Sequence, residues 1–126
     1  VSAAARWLRE ANHRPGVVGF CWGGSMAFLA NARLGLPAVS YYGARTMPYI
    51  AEPARAPLMF HFGASDASTP PEDIDRHRLL QPQARLFVYQ GAGHAFNRDV
   101  DPRLFHPPSA ALARERTLAF LAEHTS

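Results

Sequence analysis

Three residues of this 126-residue sequence combine a chemically useful side chain with a suggestive position: Cys21, Asp66 and His94. Cys21, the only cysteine, stands in "GFCWGG", residues 19–24, between an apolar run and a small-residue segment of helical pattern. Gly-x-nucleophile-x-Gly marks a sharp strand-to-helix turn that lifts a nucleophile above a sheet edge. A side chain at Gly19 or Gly23 is expected to collide there with the neighbouring strand or helix. The next residue, Trp22, would present its backbone N–H at the helix N-terminus, where the dipole favours a developing oxyanion. Such a setting also strengthens a thiol nucleophile. The plain alternative is a buried cysteine acting as a small apolar filler.

A nucleophile of this kind needs a base, and the base needs a group to orient it. In hydrolases built on strand-to-helix elbows the chain order is nucleophile, acid, histidine. Asp66 in "GASDASTPPED" and His94 in "GAGHAFNR" follow in that order, each just beyond an apolar run that reads as a strand. Each also has a structural alternative: Asp66 as a turn former bonded to its own backbone, His94 as a loop histidine without a role. Asp73 and Asp75 compete for the acid's place but fall within an expected helix. His13, His61, His77, His106 and His124 lie mid-strand, mid-helix, beside prolines or near the chain's end.

The elements that must position these residues follow from periodicity. "SAAARWLREAN" (2–12) suits an amphipathic helix, and "NHRPG" breaks it. "VVGF" reads as a buried strand, "GGSMAFLANARLG" as a helix closed near Gly35, and "PAVSYYG" as the next strand. After the proline-rich loop "ARTMPYIAEPARA", "PLMFHFG" is a third strand. "EDIDRHRLLQ" is a helix introduced by Pro70 and Pro71 and favoured by acids in its first turn. "ARLFVYQG" is the fourth strand, "AGHAFNRDVDPRLFHPP" an irregular loop, and "SAALARERTLAFLAEH" a final helix capped by Ser109. Continuous apolar strands alternating with helices predict a doubly wound, mostly parallel α/β sheet covered on both faces. Ligands in such sheets sit beyond the carboxyl ends of the strands, where Cys21, Asp66 and His94 all fall.

Composition narrows the function. At 48% hydrophobic, residues 1–126 can form one core, and one domain is expected. The net charge is +3, and its 13 basic residues are all arginine, scattered rather than massed as a nucleic-acid footprint requires. A single cysteine excludes an internal disulfide and a cysteine-rich zinc site. No apolar run approaches the ~20 residues that span a bilayer, and the N-terminus lacks the order of a signal peptide. A soluble, reducing, cytoplasmic setting is expected.

With "GFCWGG", "GASDASTP" and "GAGHAFNR" in order, the chain from about Val17 onward resembles the dienelactone hydrolase family of α/β-hydrolases, whose elbow reads Gly-x-Cys-x-Gly-Gly. The resemblance implies Cys21 as nucleophile, His94 as base and acid, Asp66 as orienting acid and the Trp22 N–H as one oxyanion donor. It further implies that Arg98, four residues after His94, helps hold a substrate carboxylate. The activity implied is hydrolysis of a lactone or activated ester through a cysteine thioester, with no metal or organic cofactor.

Family members carry further strands before the elbow. These supply the second oxyanion N–H, an acidic residue near the thiol and a second substrate arginine. The chain therefore reads as the C-terminal portion of such a domain, with the elbow strand at an exposed sheet edge that a homodimer or an N-terminal segment would cover. A non-catalytic or split fragment, acting as a partner subunit, is the alternative reading. A thiol redox sensor is weaker still, because no resolving cysteine is present.

Overall fold

The computed structural model describes residues 1–126. Its elements are α1 (Ser2–Glu10), β1 (Val17–Phe20), α2 (Trp22–Leu34), β2 (Ala38–Tyr41), a short 3-10 helix (Met47–Tyr49), β3 (Leu58–Gly63), α3 (Pro71–Leu80), β4 (Arg85–Tyr89) and α4 (Pro107–His124). The four strands form one wholly parallel sheet in the order β1-β2-β3-β4. All four carboxyl ends therefore point the same way.

Strand alternation divides the core into two layers. Leu58, Phe60 and Phe62 of β3 pack with Ala27 and Phe28 of α2 and Ile74 of α3. Met59, in between, packs on the other face with Phe120 of α4 and Tyr89 of β4. Both faces are thus apolar, as a sheet covered on both sides demands. Phe28, Phe60 and Phe62 are fully buried, and each such side chain contributes about 1.5–3 kcal/mol relative to exposure. Gly35 closes α2 in the left-handed conformation (φ 67°), so a residue without a Cβ suits this position.

The start of α4 differs from expectation. The helix begins at Pro107, with His106 rather than Ser109 in the capping position, and Ser109 is a buried first-turn residue 2.6 Å from His106 Nδ1. Two prolines with φ already helical, occupying positions whose N–H groups have no helical acceptor, start the helix earlier than the serine would.

β1 forms one edge of the sheet, with β2 on its inner side and no strand on its outer side. Phe20 and Trp22 beside it are 45% and 63% exposed. No helix is long and apolar enough to cross a membrane.

Candidate active site

The chain leaves β1 through Cys21, whose N–H donates to the Tyr41 carbonyl at 3.0 Å and so prolongs the β1–β2 ladder by one residue. Cys21 then adopts φ 59°, ψ −124°, and α2 begins immediately at Trp22. A positive φ in a side-chain-bearing residue is strained, and here it turns the thiol out of the sheet. Cys21 is exposed, which disposes of the filler alternative. The Trp22 N–H has no backbone acceptor, as befits the first residue of a helix.

The glycine requirement is partly different from the sequence expectation. A Cβ at Gly19 would lie 1.8 Å from the Gly23 carbonyl oxygen, whereas one at Gly23 would meet nothing within 4 Å. The second crowded position is Gly24, where a Cβ would come 2.7 Å from the Tyr41 carbonyl oxygen. The helix start therefore crosses β2 closest at Gly24, not Gly23.

Asp66 and His94 come together because the loops after β3 and β4 are tied to each other. The Ala64 N–H donates to Tyr89 O and the Ser65 N–H to Ala92 O, both at 2.9 Å. Gly63 permits this approach, since a Cβ there would sit 2.4 Å from Ala92 O. The result is a continuous hydrogen-bonded chain: Asp66 Oδ2 lies 2.9 Å from His94 Nδ1, and His94 Nε2 lies 3.0 Å from Cys21 Sγ. A carboxylate oxygen accepts, so Nδ1 carries the proton and Nε2 is left free to accept from the thiol. Asp73 and Asp75 lie on α3, as expected, and do not take part.

Asp66 also does what its structural alternative proposed. Its Oδ1 accepts from the Ser68 N–H at 2.9 Å and from the Ser68 hydroxyl at 2.5 Å, an Asx turn. One oxygen shapes the loop while the other meets the histidine. Ser68 Oγ is in turn 3.2 Å from His94 Nδ1. The sequence reading did not single out Ser68; its position two residues after a turn aspartate was the available signal.

Strain and packing concentrate around His94. Tyr42 (φ 39°) and Ala95 (φ 58°) share with Cys21 the positive φ that side-chain-bearing residues avoid. The Tyr42 N–H donates to His61 O at 2.8 Å, and its ring stands edge-on to His94 at 5.3 Å. Burial pushes the Tyr42 phenol up to about 12, so this ring presents a neutral wall to the imidazole.

A cavity of about 580 Å³ opens over the thiol, lined among others by Cys21, Trp22, Arg45, Ser65, Ser68 and His94. That volume suits a small organic ligand. Another hollow, of about 670 Å³, lies among residues 53–58 and 80–84 at the amino end of β3 and contains no nucleophile. Chemistry assigns the smaller one as the site. Arg45 was not singled out from the sequence either. Its N–H donates to the buried Ser25 Oγ at 3.0 Å, and Ser25 also accepts from Thr46 Oγ1 at 3.1 Å, so the loop bearing Arg45 is tied to α2. Arg98 lies on the exposed loop after His94, with its N–H on Ala95 O at 2.9 Å, and is not among the residues lining the cavity. The other histidines stand apart: His61 bridges Tyr89 and Thr117 in the core, and His77 packs edge-on to Phe60 and Phe62.

Comparison with known proteins agrees with this architecture. The chain is 34% identical over 135 residues to the carboxymethylenebutenolidase of Pseudomonas putida, an alignment covering 97% of this chain and 55% of that protein. A crystal structure from Klebsiella pneumoniae, of a protein named "Putative Dienelactone Hydrolase", superposes with a TM-score of 0.84 at 30% identity, over 94% of this chain and 57% of that one. The Pyrococcus furiosus esterase Pf2001 shares the fold alone, with a TM-score of 0.71 at 17% identity over 98% of this chain and 60% of that one. The chain spans about half the length of the curated relatives it matches. The model of the dienelactone hydrolase family matches residues 1–125, and on that match, with an elbow and fold to suit it, the chain belongs to the dienelactone hydrolase family.

Proposed function

We propose that this site hydrolyses a lactone or activated ester through a covalent thioester on Cys21. The observation that carries the reading is the unbroken contact from Cys21 Sγ through His94 to Asp66 on the wall of one cavity. Sγ attacks the carbonyl carbon as its proton passes to His94 Nε2, and the oxyanion forms toward the Trp22 N–H. Collapse breaks the C–O bond, and the imidazolium returns the proton to the departing alkoxide. Water, deprotonated by His94, then attacks the thioester and displaces the thiolate, which takes the proton back. Asp66 holds the imidazole in the Nδ1–H tautomer throughout and stabilises its cationic form.

For a substrate carboxylate, the family resemblance supports Arg98 and the lining of the cavity supports Arg45. A reducing, cytoplasmic compartment would keep the thiol in its nucleophilic form. The test is alkylation by iodoacetamide near neutral pH, scored at Cys21 by mass spectrometry. Stoichiometric labelling faster than that of a free thiol, abolished in His94→Ala, is the expected result; labelling at a free thiol's rate would overturn it.

A second reading concerns assembly. The unpaired edge of β1 and the exposed Phe20 and Trp22 favour coverage by a further strand, from a second copy or from another segment of polypeptide. Sedimentation over a range of concentrations should show association, and a concentration-independent monomer with a cooperative high-temperature melt counts against it.

A further inference from the structure

Ser68 follows Asp66 by two residues, lines the cavity, and neither the elbow nor the acid-histidine pair requires it by chemistry alone. Its hydroxyl has one proton. The 2.5 Å separation from Asp66 Oδ1 is the length of a charge-assisted O–H···O⁻ bond, which assigns the proton to that carboxylate oxygen. The lone pairs of Ser68 Oγ are then free to face His94 Nδ1 at 3.2 Å. The Nδ1–H is consequently shared between two acceptors, Asp66 Oδ2 at 2.9 Å and Ser68 Oγ.

We propose that Ser68 is a positioning residue for the histidine, fixing both the rotation of the Asp66 carboxylate and the tautomer of His94. Two donors from one residue hold Oδ1, the N–H at 2.9 Å and the hydroxyl. The carboxylate therefore cannot turn about its last bond, and Oδ2 stays on the imidazole. The second acceptor adds to Asp66 Oδ2 in keeping the proton on Nδ1 and leaves Nε2 directed at the thiol. The turn itself does not depend on the hydroxyl, because the Ser68 N–H and the Thr69 N–H to Asp66 O bond at 3.2 Å close it from the backbone. The inference rests on the hydrolytic reading for its consequence in turnover, but not for its consequence in the histidine.

The experiment is long-range 1H–15N spectroscopy of the His94 ring at pH 8 in the unsubstituted chain, Ser68→Ala and Ser68→Thr, alongside hydrolysis of a p-nitrophenyl ester. The unsubstituted chain should show the Nδ1–H tautomer, and Ser68→Ala a shift of both ring nitrogens toward a tautomer mixture. Turnover should fall about 10-fold in kcat with KM unchanged. Ser68→Thr, which keeps the hydroxyl, should restore both readouts. Ring resonances identical in Ser68→Ala and the unsubstituted chain would overturn the proposal, as would an unprotonated Nδ1 in the unsubstituted chain, a reading that needs no variant to fold. Absence of any ester turnover would sink the hydrolytic reading while the ring spectrum still decides the role of Ser68.

Discussion

Asp66 Oδ2 stands 2.9 Å from His94 Nδ1, and the acid's side chain is 1% exposed where the histidine's is 34% exposed. The acid is enclosed, and the base faces the cavity. Asp66→Asn should therefore keep the loop, since an amide oxygen can still accept from Ser68. Its NH2 group can face Nδ1, however, favouring the Nε2–H tautomer and removing the acceptor that Cys21 needs. Ester turnover should drop by about 10³–10⁴-fold with little change in melting temperature. A loss under 10-fold would show that the acid does not set the tautomer.

Arg45 and Arg98 can be separated by the charge of the alkylating agent. With an arginine lining the cavity over Cys21, iodoacetate should gain on iodoacetamide at low salt. Arg45→Gln should lower the iodoacetate-to-iodoacetamide rate ratio by about 2- to 5-fold, an effect that fades as salt screens the charge. Arg76→Gln, an equal loss of charge on the exposed side of α3, is the control. A larger drop in Arg98→Gln than in Arg45→Gln would assign the anion-holding role to the residue the family resemblance implies.

The elbow makes an asymmetric prediction about its glycines. Gly19→Ala forces a Cβ to within 1.8 Å of a backbone carbonyl and should destabilise by more than about 3 kcal/mol or prevent folding. Gly23→Ala adds a methyl group to open space in the first turn of α2 and should be neutral or stabilising by up to about 1 kcal/mol. Urea denaturation of the two variants distinguishes these outcomes, and a destabilised Gly23→Ala would place an unseen neighbour against α2.

His61 predicts acid sensitivity remote from the site. Burial, assisted by Arg116, lowers its pKa to about 3, against about 6.5 unfolded. Below pH 6.5 the unfolded chain binds a proton that folded His61 refuses. Its contribution to stability is therefore complete above pH 6.5 and is lost as pH falls from there toward 3. The loss should reach about 2 kcal/mol by pH 5. His77, also depressed by burial, acts in the same direction. His61→Gln should flatten the difference between urea melts at pH 7 and pH 5, and an unchanged difference would show that His61 is not the group responsible.

What the sequence determined by itself was the order of elements and the candidates at their ends. Continuous apolar runs and helical segments are local properties, and a nucleophile between glycines at a strand-helix junction is a local pattern. That is why Cys21, Asp66 and His94 could be named with four strands to carry them. Tertiary structure decided whatever depended on which backbones approach each other. Gly24 rather than Gly23 meets β2, because the helix axis sets the crossing point. Asp66 reaches His94 because Gly63 lets the loops after β3 and β4 lie side by side. Arg45, distant from the motifs in sequence, reaches the cavity through the anchoring of its loop to Ser25, whereas Arg98, close to His94 in sequence, does not line it. Ser68 joined the site only once the direction of each carboxylate oxygen was known. Residue types and spacing carry chemistry along the chain, but the partner of each hydrogen bond depends on angles and distances between segments that no local pattern contains.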